Sequence, residues 1–228
     1  MAKPLPKLKI KTLGGFHIYA NGKPVATDWP SETIKVFFCS ILSPVDLSIN
    51  WDRICHSLWG VPANENARNR LDKKLIGPLN TYLFDELGIN PLIAVHDGIK
   101  IDSDQVHVDA FDFYRSTVEG LKLLSFGQET ASDAAFRKAD SLYTGSFLPG
   151  LRGKIITNTR EDLESLYRTA VLRNMQGVKS SVSPVSHKMK GLGLKQNKPE
   201  NCCNHGIDLA EIDYPAVIKS LFQYYITL

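Results

Sequence analysis

Along the first hundred residues the apolar positions recur with a period of two, then with helical spacing, and the switches between the two lay out the elements. Leu8 to Leu13 alternates apolar residues with lysine (Leu8-Lys9-Ile10-Lys11), which is the pattern of a half-buried strand, and Gly14-Gly15 then permits a sharp bend. Phe16 to Ala20 reads as a second strand, Asn21-Gly22 as a hairpin turn and Lys23 to Val25 as the return. Ser31 is placed to cap a helix carrying Ile34, Phe37, Phe38, Ile41 and Leu42 on one face and ending near Ser43-Pro44. Leu47 to Ile49 is a short apolar piece. Asn50 then caps a second helical set, Trp51, Ile54, Cys55, Leu58 and Trp59, with Trp59 expected as a core anchor.

Gly60-Val61-Pro62-Ala63 turns the chain into a third helical stretch, Asn64 to Leu87. On a helical projection Ala67, Leu71 and Leu75 share one sector, while Asn66, Asn69, Arg70 and Lys73 crowd the opposite one. Arg68 lies on the flank, four residues before Asp72, where an ion pair is expected. Gly77-Pro78 disturbs the pattern. Pro78 lacks the N–H that would bond the Lys74 carbonyl, and a stripe at spacing four drifts about 40° per step. The axis is therefore expected to reset there, by a kink or by a new helix with Pro78 at its first position. Pro91 to Ile101 then reads as a β-hairpin turning at Asp97-Gly98. Helix, turn, helix and hairpin in this order is the plan of a winged helix-turn-helix. In that plan Arg and Lys suit phosphates and guanine edges, and Asn suits adenine edges.

From Asp109 the period is helical throughout. Asp109 is placed to cap a helix with Phe111, Tyr114, Val118 and Leu121 on one face. Thr130 with Asp133, and Thr159 with Asp162, have capping-box spacing before further apolar sets, so a helical bundle or repeat array is expected. Residues 179–198 hold five lysines and no acid and read as a mobile connector. Helical patterning resumes over 200–211 and 214–228, and the final Ile-Thr-Leu carries no capping residue, which leaves open a continuation.

Composition adjusts this picture modestly. With 228 residues, 43% of them hydrophobic, two domains are expected, and a net charge of +3 makes any nucleic-acid argument depend on local clustering. No 18-residue apolar run occurs and the N-terminus lacks an apolar leader, so a cytoplasmic protein without membrane partners is expected. Cys39 and Cys55 suit reduced core positions, and Cys202-Cys203 with His205 lacks the second ligand pair of a zinc site, so no metal is expected. Gly-x-Ser-x-Gly, phosphate-loop and His-Glu-x-x-His motifs are absent from the sequence; no catalytic residue, enzymatic activity or cofactor is expected.

Several short motifs in order resemble the SARP-type bacterial transcriptional regulators: Leu8 to Phe16, Asn21-Gly-Lys-Pro-Val25, Trp29, Leu58-Trp59, Ala67-Arg-Asn-Arg-Leu71, Pro91-Leu-Ile, Val108-Asp-Ala-Phe111 and Leu142-Tyr-x-Gly-x-Phe-Leu-Pro-Gly150. The resemblance spans roughly residues 8–175. It implies an α+β chain: an OmpR/PhoB-like winged helix-turn-helix with an N-terminal antiparallel sheet over residues 1–104, then an all-α, tetratricopeptide-like activator domain over 105–228, with truncation left open. It further implies binding to double-stranded DNA and contact with RNA polymerase or another protein through the helical half. The recognition helix would be about Asn64–Ile76 and the wing Leu92–Ile101, with Asn66, Asn69, Arg70, Lys73 and, on the wing, Lys100 as the DNA-contacting residues. Pairing of two copies on DNA stays open. Two departures, Ile76-Gly77-Pro78-Leu79 in place of family cations and the lysine-rich 179–198, leave an alternative, a protein-interaction adaptor that keeps the winged fold without binding DNA.

Overall fold

The computed structural model describes residues 8–25, 28–42 and 47–175, all within one compact unit. The lysine-rich connector, the two helical patterns after it and the Cys202, Cys203 and His205 group lie outside the described residues.

Strand β1 (Leu8–Lys11) buries Leu8 and Ile10 and exposes Lys9 and Lys11, as its alternation requires. It pairs antiparallel with β2 (His17–Ala20), which turns through Asn21-Gly22 into β3 (Lys23–Val25). Asn21 and Gly22 both have positive φ, 49° and 78°, the left-handed pair that a two-residue hairpin turn needs. Helix α1 (Glu32–Ile41) starts at Ser31, whose Oγ accepts from the Ile34 N–H at 3.2 Å. It buries Ile34, Phe37, Phe38 and Ile41, each such burial stabilising by about 1.5–3 kcal/mol. Trp29 packs its ring against Phe16, Phe38 and Tyr82, joining the first sheet to the helices.

Strand β4 (Ser48–Asn50) leads into α2 (Trp51–Trp59), capped by Asn50. Next come α3 (Glu65–Leu71), a π-helical turn (Asp72–Ile76) and α4 (Gly77–Leu87), continuous along one helical path. The disturbance expected at Gly77-Pro78 thus takes the form of a widened turn just before it, with the Gly77 N–H reaching back five residues to the Asp72 carbonyl. That form explains the stripe. Ala67, Leu71, Leu75, Leu79 and Leu83 are all buried. In an unbroken α-helix positions 67 and 83 would stand about 160° apart around the axis, and one residue absorbed in the π turn takes about 100° back. The helix keeps one apolar face through Pro78.

Strands β5 (Leu92–Val95) and β6 (Gly98–Ile101) form the hairpin, and β6 also pairs with β4, giving a three-stranded sheet in the order β4-β6-β5. The turn residues are His96 and Asp97, with Val95 opposite Gly98, so the expected Asp97-Gly98 turn is displaced by one residue. Gly98 answers a different need: a Cβ there would stand 2.2 Å from the Ile49 carbonyl oxygen of the adjoining β4.

A strand that the periodicity did not announce, β7 (Val106–Val108), lies parallel to β1 and completes a sheet ordered β3-β2-β1-β7. Helices α5 (Asp109–Ser125), α6 (Glu129–Leu142) and α7 (Lys154–Leu166) follow, and α7 continues into a second π-helical turn (Tyr167–Leu172). The described residues are therefore α+β, sheet-rich at their start and helical over most of 109–175.

The Asp109 side chain is buried and reaches across to the end of β1, accepting from the Thr12 N–H (2.8 Å), the Thr12 hydroxyl (2.6 Å) and the Leu13 N–H (3.2 Å). This anchor turns α5 so that Ala110, Phe113, Thr117 and Leu121 are buried, while Phe111, Tyr114 and Val118, expected inside, are half-buried. Neither capping box forms. Thr130 lies inside α6, whose cap position is Gln128, and Thr159 is buried in mid-α7, which begins at Lys154. The segment 144–151 docks on β1's end as well: the Leu148 N–H donates to the Thr12 carbonyl, the Thr144 hydroxyl to the Leu13 carbonyl, and Arg160 donates to the carbonyls of Phe147, Leu148 and Leu151.

Candidate nucleic-acid interface

Local hydrogen bonds fix α3 against α2. Gly60 ends α2 in the left-handed conformation with its N–H on the His56 carbonyl (3.0 Å), the Asp52 carboxylate accepts from the Ala63 N–H (2.7 Å), and the Asn64 side chain accepts from the Ala67 N–H (2.9 Å). Ala67, Leu71 and Leu75 then face inward. Asn66, Asn69, Arg70 and Lys73 are all exposed on the other side, where the spacing put them.

The two flanks of that exposed face differ. A groove of about 540 Å³ runs between the helical path and the hairpin, walled by Trp51, Ile76, Leu92 and Ile99 and edged by Arg68 and His96. Arg68, expected to pair with Asp72, makes no ion pair with it; both side chains are exposed and both line the groove. Arg68 is thus a missed member of the site, and the signal was there in its position, since residues two apart on a helix face opposite flanks. On the α2 flank, the Arg70 guanidinium lies over the indole of Trp59, 4.4 Å from the ring centroid. Trp59 is half-buried, and only Ile54 and Cys55 of α2 are buried. The expected core anchor is a platform because the turn at Gly60 leaves its ring open on the side where α3 passes.

The hairpin contributes unevenly. Ile99 and Ile101 are buried and Lys100 between them is exposed, on the opposite face of the sheet from the groove-lining Ile99. Lys100 shares its face with Ile93, its partner on β5, and is not brought together with Asn69, Arg70 and Lys73. Leu92, Ala94, Val95 and Ile99 line the groove with apolar side chains, and His96 at the turn is the polar hairpin residue along it. The Trp51 N–H donates to the Asp97 carbonyl (2.9 Å), which ties the hairpin tip to the start of α2.

Beneath the face, burial pushes the Cys55 thiol above its ordinary range, Asp52 adds to the shift and Arg68 opposes it. Cys39 and Cys55 are free and buried. Among the described residues no cluster of His, Cys, Asp and Glu could hold a metal ion, and no helix is long and apolar enough to cross a membrane.

By element order this is an α+β protein in which two helices joined by a short turn precede a β-hairpin. No family model matches the chain, and no curated protein matches its sequence. Among solved structures, one similar to it is Mycobacterium tuberculosis EmbR in complex with a low affinity phosphopeptide, at 15% identity and a TM-score of 0.44 over 77% of this chain. The chain spans 43% of that structure's length. At that level of likeness the functional reading rests on the chain's own residues.

Proposed function

We propose that the chain is a DNA-binding transcription regulator built on a winged helix-turn-helix, with α2 and α3 as the helix pair, residues 64–76 as the recognition helix and the β5–β6 hairpin as the wing. The observation that carries this reading is the exposed face of residues 64–76: four polar or cationic side chains, Asn66, Asn69 and Arg70 on α3 and Lys73 in the π turn after it, displayed on a helical path whose opposite side is anchored. Such a face matches the major groove, with Asn and Arg available to base edges and Lys and Arg to phosphates. Arg68 and His96 add donors along the groove beside it, where a sugar–phosphate strand would pass between helix and wing. Asn66, Asn69 and Arg70 stand on the regular α3, because the π turn that absorbs the disturbance begins at Asp72; Lys73 lies within that turn and is exposed.

In this reading residues 1–104 bind DNA and residues 105–228, tetratricopeptide-like in plan, engage RNA polymerase or another protein, in the manner of the SARP-type regulators that the sequence motifs resemble. The protein would act in the cytoplasm without enzymatic chemistry. A second reading, an adaptor that no longer binds DNA, is favoured by one observation: edge strand β5 exposes Ile93 and Val95. Titrating mixed genomic duplex fragments at two salt concentrations separates the two. The regulator gives a complex that weakens steeply with salt, whereas an adaptor gives none at either concentration.

A further inference from the structure

We propose that Trp59 is a positioning residue: its indole face holds the Arg70 guanidinium ready for a backbone phosphate on the α2 side of the recognition helix. This rests on the DNA-binding reading above and assigns one residue its kind of contact. Arg70 follows Asn69 and so points about 100° around the helix from it, toward α2 and away from the outermost line of the face. A side chain on that flank of a helix lying in a major groove meets a phosphate rail before it meets a base edge. Among the described residues the Trp59 ring is the one group Arg70 engages, with neither a carboxylate nor a hydrogen bond competing for the cation. The contact is made to the face of the ring and takes no hydrogen-bond acceptor, so it restrains the side chain without using up the N–H donors that a phosphate would take. Both partners stand on fixed backbone, Trp59 next to the left-handed Gly60 and Arg70 on a helix capped by Asn64. An indole platform therefore removes side-chain freedom before binding rather than at the moment of binding.

The test uses the full chain and mixed genomic duplex fragments, followed by fluorescence anisotropy at two salt concentrations, with thermal melts of every variant. Arg70→Ala should weaken binding on all fragments and lower the salt slope by about one. Trp59→Leu should weaken it by about two- to five-fold, as the loss of an exposed cation–π contact implies. Trp59→Phe, which keeps a ring face, should fall closer to the wild type. The double variant W59L/R70A should bind no more weakly than R70A alone. A further loss in that double variant equal to the loss from W59L alone would overturn the proposal, since the indole would then act on DNA or on folding independently of Arg70. Because W59L can also disturb folding, the Arg70 Hδ resonances of the wild-type protein give a second measurement: an upfield ring-current displacement is expected, and its absence would remove the contact. Wild-type protein that shows this displacement but no salt-sensitive binding would defeat the DNA-binding reading itself, and the phosphate assignment with it.

Discussion

Polar side chains behave in opposite ways in two regions of this molecule. At the junction where residues 109–160 meet the end of β1, three polar side chains are answered within the protein: Asp109 by Thr12 and Leu13, Thr144 by the Leu13 carbonyl, and Arg160 by three carbonyls of the segment it braces. On α3 and the π turn after it, Asn66, Asn69 and Lys73 are exposed, and among the described residues Arg68 and Arg70 have no carboxylate partner. Saturated polar groups buy architecture. Unsatisfied donors on a rigid helix remain available to a ligand, and the contrast marks which residues should govern stability and which should govern binding.

The largest expected effect is at the junction. Asp109→Ala leaves a buried hydroxyl and two backbone N–H groups without an acceptor and should destabilise by about 3 kcal/mol, measured by urea unfolding, while the DNA affinity of the folded fraction is unchanged. Gly98→Ala, with its Cβ 2.2 Å from the Ile49 carbonyl, should cost about 2 kcal/mol and weaken DNA binding too, because it forces β6 from β4 and moves the wing. That variant crosses the division and locates its edge. Arg160→Ala should cost about 1–2 kcal/mol in the same unfolding assay and spare affinity. Lys73→Ala sits at the other extreme, with stability within about 0.5 kcal/mol of the wild type and a salt slope lower by about one. A Lys73→Ala protein that melts early but binds normally would reverse the division.

Much of the N-terminal half was legible because its signals are local. Asn21-Gly22 dictates its own turn, and Ser31 and Asn50 each cap a helix that starts within a residue of them. The exposed face of α3 followed from spacing alone. Features that depend on distant partners were not legible. Strand β7 has three residues and exists through pairing with β1, nearly a hundred positions earlier. The face of α5 is set by Asp109 reaching Thr12, which helical spacing cannot foresee. Thr130 and Thr159 carry capping-box spacing yet lie inside helices, where the same residue types also occur. Gly77-Pro78 signalled a disturbance without revealing that a π turn would absorb it. Arg68 was expected to pair with Asp72, and Trp59 to be core; both are turned outward by how α2, α3 and the hairpin pack.

The most direct measurement is a map of amide chemical-shift changes as a DNA duplex is added to the isotopically labelled protein at low salt. The account predicts changes concentrated over residues 64–76 and around His96, collapsing as salt is raised, with residues 109–172 quiet. Changes centred on α5 to α7, or none anywhere, would contradict it.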